Sequence, residues 1–185
     1  LDEEYFDIEH LVVAVIRMMD SRAFSSGLRI NYDVEQNIRP LYADPRLVRQ
    51  ILINLVGNAV KYSRNGGTIK LSAHMTEDLS LRMIVEDDGI GIPPDKIKDA
   101  LEPFGQVSKS AEASGIPGTG LGLPLAKAMC ELHGGHLMIS SEVGKGTKVT
   151  VEFPPWRMEE QRKEASPLAE LTRKVKSAKV AQTEK

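Results

Sequence analysis

The stretch from Asp44 to Ser63, DPRLVRQILINLVGNAVKYS, constrains the fold more than any other part of the chain. Asp44 is a good N-cap, and Pro45 suits the first helical position, where a missing N–H costs nothing. Leu47, Ile51, Leu55 and Ala59 form an apolar row at a spacing of four, with Val48, Leu52 and Val56 beside it. That spacing predicts a helix buried over most of its girth. Asn54, Asn58 and Lys61 fall on one further stripe. Two amides suit a core-facing helix poorly unless something there uses their oxygens; for the helix alone, a polar edge facing solvent is the other reading.

At 185 residues the chain has room for one ordinary domain with a sizeable core, plus a tail. With 41% hydrophobic and 27% charged residues it reads as globular. A formal net charge of -2 gives no reason to expect a nucleic-acid partner or membrane contact. No apolar run reaches the roughly 18 residues of a membrane span. The first ten residues, LDEEYFDIEH, lack the basic and apolar regions of a signal peptide, so a cytoplasmic location is expected. Cys130, the single cysteine, falls in a predicted helix as a small buried hydrophobe, and the four histidines show no metal spacing.

Phe6 to Ile8 reads as a short strand and His10 to Phe24 as an amphipathic helix built on Leu11, Val12, Val15, Ile16 and Met19. Leu28 to Val34 alternates as a half-buried strand. After the Asp44 helix, Thr68 to Met75 and Leu79 to Val85 read as a hairpin, so the sheet is at least partly antiparallel. From Asp87 to Gly118 few apolar anchors occur, which predicts a long functional loop. A helix then runs to Leu132, closed by His133, Gly134 and Gly135, and two strands follow, His136 to Ser140 and Thr147 to Phe153. Pro154 and Pro155 end the domain, set at 1–155, and 156–185 reads as a charged tail, helical or disordered.

Two glycine-rich stretches carry the chemistry. In DDGIGIP, Gly89 and Gly91 allow close backbone approach to a flat ligand, and the Asp87 carboxylate at a strand end can accept from an exocyclic amine. In GTGLGLPLAK, Gly118, Gly120 and Gly122 precede a helix whose free N–H groups favour phosphate. Each alone is also an ordinary turn or helix start. No GxxxxGK[ST] occurs, and no strand leads directly into the second stretch, which excludes a P-loop and the dinucleotide fingerprint.

In order, NLVGNAVKYS, DDGIGIP, EPFGQV and GTGLGLPLAK, followed by the HGG and GKGT turns, resemble the ATP-binding catalytic domain of bacterial sensor histidine kinases, in the GHKL ATPase superfamily. The resemblance covers about Phe6 to Pro154 and implies a two-layer α/β sandwich. In it a mixed, largely antiparallel sheet packs on three helices, with a long ATP lid. It implies ATP and Mg2+ as cofactors, with Asn58 supplying an oxygen to Mg2+ and Asn54 and Lys61 lining the phosphate end. Tyr62 would stack near the adenine, Asp87 would accept from its amino group with Gly89 and Gly91 beside the base, and Ile92 and Thr147 would also bind the cofactor. Phe104 would anchor the lid, Lys109 is its nearest cation, and Gly118, Thr119, Gly120, Leu121, Gly122 and Leu123 would close over the triphosphate.

The implied activity is transfer of the ATP γ-phosphoryl to a histidine on a separate dimerisation domain upstream. The implied setting is a homodimeric, in some relatives membrane-anchored, two-component protein acting on a response regulator. His10 lacks the acidic residue and proline that follow the family's phosphoacceptor. Gln106 stands where many members carry an arginine, which keeps open a degenerate, ATP-responsive regulatory module. A GHKL ATPase is the third reading, though such enzymes carry a glutamate at the position of Asn54.

Overall fold

The computed structural model describes residues 1–103 and 120–158. Its elements run β1 (Glu4–Phe6), α1 (Ile8–Ser25), β2 (Arg29–Val34), β3 (Leu41–Ala43), α2 (Pro45–Tyr62), β4 (Thr68–Met75) and β5 (Leu81–Asp87). They continue with α3 (Ile97–Leu101), α4 (Gly122–Leu132), β6 (His136–Glu142) and β7 (Gly146–Phe153). The main sheet has the order β2-β4-β5-β7-β6, and β1 pairs with β3 in a separate two-stranded ribbon. Only β2 and β4 are parallel, since α2 carries the chain back between them; the other pairs of the main sheet are antiparallel.

One face of the sheet is apolar at every second residue: Ile69, Leu71 and Ala73 on β4, Leu81, Met83 and Val85 on β5, Val149, Val151 and Phe153 on β7. Against it lie α1, α2 and α4, with α2 in the middle touching both neighbours. Val48, Ile51, Leu52, Leu55, Val56, Ala59 and Val60 of α2 are all buried. Each large aliphatic side chain contributes about 1.5–3 kcal/mol when fully buried, so α2 is the best-anchored helix of the domain. The mixed sheet on three helices matches the expected fold class.

Local chemistry sets the boundaries. Asp44 caps α2 by accepting from Arg46 N–H, and the Arg46 guanidinium beside it holds its carboxyl well below the usual carboxylate range. Asp7 caps α1 by accepting from His10 N–H, which draws Ile8 into the helix rather than the strand expected over Phe6 to Ile8. Leu79 adopts φ +64 inside a turn closed by Thr76 and Ser80, so β5 starts at Leu81 and not at Leu79. It also runs further than expected and includes Asp87.

Packing continues past 155. Arg157 is buried and donates to His133 O, Tyr42 O and Glu3 Oε1, while Met158 is 1% exposed. His133 itself accepts Asp44 N–H at Nε2, so Nδ1 carries the proton and donates to Met129 O. The β1–β3 ribbon, the end of α4 and the turn at 155–157 are thereby tied together.

Candidate functional site

The C-terminal half of α2, the loop after β5, the start of α4 and the β6–β7 turn converge on one region. Ile90 is the bridge between two of them: its N–H donates to Tyr62 O (3.1 Å) and its carbonyl accepts from Gly144 N–H (2.8 Å). Arg64 donates to Gly144 O (2.9 Å), and Asp88 accepts from Thr68 N–H (2.9 Å). The loop from Asp88 to Ile92 is thus held on both sides by backbone, and not left as a free connection.

The glycines of that loop are required by close approach. A Cβ on Gly89 would stand 2.3 Å from Tyr62 O. At Gly91, φ is +72 and a Cβ would stand 2.1 Å from Glu142 O. Neither position accepts a side chain without moving backbone.

Asp87 sits at the floor. Its Oδ1 accepts from Gly89 N–H (2.9 Å), and the nearby Thr147 N–H also favours its ionised form. Burial pushes its pKa above the ordinary carboxylate value, the two N–H groups oppose that, and the neighbouring Asp88 charge adds to it. An ionised carboxylate has about four lone-pair sites, so capacity remains for a donor from outside. Ile92 N–H donates to Ser141 Oγ (2.7 Å), which also meets Gly146 O and Thr147 Oγ1, each at 2.9 Å.

The other end is built by α2 against α4. The Asn58 amide faces Gly122, whose missing Cβ would lie 3.3 Å from Nδ2 and 3.4 Å from Oδ1. One turn earlier, Asn54 Oδ1 accepts from Gln50 (3.0 Å), while Asn54 Nδ2 is buried with no partner among the described residues. Helix α4 starts at Gly122 with no side-chain cap, and Pro124 falls within its first turn, where its missing N–H is harmless. Lys61 Nζ lies 2.7 Å from Tyr62 Oη and 4.5 Å from the ring centroid, so these two expected site residues are paired with each other.

An orphaned amide donor, a cation and the uncapped N-terminus of α4 suit a phosphate chain. No cluster of three or more His, Cys, Asp or Glu side chains that could hold a metal occurs among the described residues. Asn58 fits a hard cation such as Mg2+ that brings most of its oxygen ligands as phosphate and water. Burial pushes the Cys130 thiol up to about 12, which leaves it inert as a nucleophile.

Of the expected site residues, Asp87, Gly89, Gly91, Ile92 and Thr147 come together at one end, and Asn58 with Gly122 at the other. Gly120 (φ +68), Leu121 and Leu123 flank the start of α4. Phe104, Lys109, Gly118 and Thr119, with Gln106 and most of the expected lid, lie outside the described residues. Ser141, Asp88 and Arg64 were not anticipated: each has a partner distant in sequence, Ile92, Thr68 and Gly144 respectively, and no local spacing marks them. The loop expected from Asp87 to Gly118 also contains α3 and a 3-10 turn at Pro94–Lys96.

Residues 43–157 match the family described as histidine kinase-, DNA gyrase B-, and HSP90-like ATPase. A sensor-like histidine kinase of Rhizobium meliloti is 37% identical over 151 residues, covering 82% of this chain and 28% of the relative. The histidine protein kinase DivJ of Caulobacter vibrioides is 33% identical over 154 residues, 83% of this chain and 25% of its own length. The chain therefore spans about a quarter of these curated relatives. Full-length ShkA, solved in complex with AMPPNP, superposes with a TM-score of 0.75 at 31% identity, covering 91% of this chain and 34% of that one. The nucleotide-free catalytic domain of the histidine kinase ThkA matches in fold, with a TM-score of 0.72 at 23% identity over 84% of this chain and 97% of that one.

Proposed function

The chain belongs to the histidine kinase-, DNA gyrase B-, and HSP90-like ATPase family, and from that premise we propose that it binds Mg·ATP between α2, α4 and the β5 loop and delivers the γ-phosphoryl to a histidine on a separate dimerisation domain. The observation that carries the reading is the two-ended site: a half-buried acceptor, Asp87, beside a loop fixed by close backbone approach at Gly89 and Gly91, and the Asn58–Gly122 cradle at a helix start with no side-chain cap among the described residues. The relatives named as histidine kinases support it.

In this reading Asp87 accepts from the adenine amino group, and the close approach of Tyr62 O and Glu142 O at Gly89 and Gly91 fixes the loop beside the base. Asn54 Nδ2, Lys61 and the N–H groups of Gly122 and Leu123 take the phosphates, for which Lys61 must leave Tyr62. Mg2+, when bound at Asn58, neutralises phosphate charge. The protein's contribution is positioning and charge neutralisation. Water is a poor competitor, because the Asn54 amide has no useful basicity with which to activate it. A neutral imidazole brought in by the partner domain needs no such help. The response regulator would then receive the phosphoryl from that histidine.

The test is to incubate the chain with labelled ATP, alone and with the dimerisation domain expected upstream. Alone it should release phosphate very slowly and stay unlabelled; together they should give an acid-labile, alkali-stable phosphohistidine on the added domain, lost with Asn58→Ala. Brisk hydrolysis by the chain alone would point to an ATPase. Binding without transfer would point to the regulatory module that Gln106 keeps open.

A further inference from the structure

The Ser141 hydroxyl joins the glycine loop to the start of β7. It accepts Ile92 N–H from the loop at 2.7 Å, donates to Gly146 O at the start of β7 at 2.9 Å and contacts Thr147 Oγ1 at 2.9 Å. A serine hydroxyl has one proton and two lone pairs. Ile92 N–H can only donate and Gly146 O can only accept, so the Ser141 proton goes to Gly146 O. The remaining contact then has one solution: Thr147 Oγ1–H donates to Ser141 Oγ. Every valence of Ser141 is used.

The consequence lies on Thr147. With its proton turned to Ser141, Thr147 Oγ1 keeps only lone pairs for anything else that approaches. Thr147 is also the cross-strand partner of Asp87, so the two side chains share one face at the same end of β5 and β7. Asp87 in its ionised form and Thr147 Oγ1 with its proton turned away then both offer only lone pairs at that end of the sheet.

We infer that Ser141 is a positioning residue for base selection: by taking the Thr147 proton it makes Thr147 Oγ1 an acceptor beside Asp87, so that the pair receives an exocyclic amine and repels a carbonyl at the same place on the base. This rests on the nucleotide-binding reading of the same site. Without Ser141 the Thr147 hydroxyl rotates freely and can donate to a carbonyl, and one source of discrimination disappears. Ser141 touches no base itself.

Inosine triphosphate is the sharpest probe, since it carries a carbonyl where ATP carries the amine. Calorimetric titration of ATP and ITP into the native chain, Ser141→Ala, Ser141→Thr, Thr147→Val and the double variant Ser141→Ala/Thr147→Val reads the preference. Ser141→Ala should shrink the ATP-over-ITP ratio by about tenfold, the worth of one neutral hydrogen bond. Ser141→Thr, which restores the hydroxyl, should return the ratio, and in the Thr147→Val background Ser141→Ala should change it no further. Ser141→Cys, nearly isosteric with a weak acceptor, should move the ratio the same way if Ser141→Ala does not fold. Equal losses for ATP and ITP would mean that Ser141 only braces the loop, and that overturns the inference. So would additive effects of Ser141→Ala and Thr147→Val on the ratio. A native chain that binds neither nucleotide overturns the binding reading itself; binding with an unaltered ratio in every Ser141 variant removes only the role assigned to Ser141.

Discussion

Asp87 links stability and binding with opposite signs, and replacing it with asparagine separates them. The carboxylate already accepts from Gly89 N–H, and an amine from the base would be a further donor. Losing a hydrogen bond to a charged group costs about 1.5–3 kcal/mol, which is roughly a ten- to hundredfold weaker ATP affinity. Asparagine keeps an oxygen for Gly89 N–H and keeps the shape, whereas alanine also strands that backbone donor. The effect on folding runs the other way. Burial raises the folded pKa of Asp87 above its unfolded value, so protonation favours the fold. The group's favourable contribution is complete below the unfolded value, near about 3.9, and is lost as pH rises through the folded one. At neutral pH the ligand-free protein therefore carries a half-buried charge that Asp87→Asn removes. Thermal denaturation should show Asp87→Asn above the native chain at pH 7.5, with the gain vanishing near pH ~4, while calorimetry with ATP at pH 7.5 shows the affinity loss. Native affinity in the variant, or a stability gain equal at both pH values, would refute the reasoning.

Gly91→Ala should cost about 1–3 kcal/mol from its left-handed φ of +72 alone, and the approach of Glu142 O must displace the loop, so melting temperature and ATP affinity should fall together. A native melting temperature would show that the loop is not clamped. Arg157→Ala strands Glu3 and the carbonyls of Tyr42 and His133. Because Glu3 keeps some access to water, the loss should sit near about 3 kcal/mol, the low end for a broken buried pair, or about 6–12 °C of melting temperature for a chain of this size. A shift under ~2 °C would mean that the ribbon and the 155–157 turn are not held by this side chain.

Where residues a few positions apart decide the outcome, the structure was legible from the chain. Asp44, Pro45 and the Leu47 to Ala59 row specify α2 almost to the residue because cap, first turn and burial all act within one helix. The ribbon β1–β3 was not legible, since three residues on each side are too few for a period and their register is set by Arg157 and His133 from the other end of the chain. Helix α3 is five residues long and its apolar contact is with α4, so nothing local announced it within the glycine- and proline-rich stretch. Asp87 and the glycines were legible as types, but not the reason for them: the approach of Tyr62 O and Glu142 O belongs to the tertiary fold. Ser141 is the extreme case, an ordinary strand serine whose bonds to Gly146 and Thr147 stay within its own hairpin but whose third partner, Ile92 N–H, arrives only when the glycine loop meets β6.

The phosphate end shows how one substitution redistributes work within such a site. In α4 the first bond back to the start of the helix is Leu125 N–H to Leu121 O, so the donors of the opening turn belong to Gly122, Leu123 and residue 124. Residue 124 is proline and has none. An anion at this helix start therefore meets two N–H groups of that turn instead of three, and among the described residues further attraction is offered by α2. Its candidates are Asn54 Nδ2, buried with no partner among the described residues, and Lys61, held by Tyr62. Asn58, one turn before Tyr62 on the same buried helix, lies against Gly122, while the Tyr62 carbonyl holds Ile90. Four residues of helix rise only about 6 Å, so a rigid α2 sets the distance between the base loop and the phosphate end. Substitutions that loosen α2 should consequently weaken both ends at once, whereas those at Pro124 should act on the phosphate end alone.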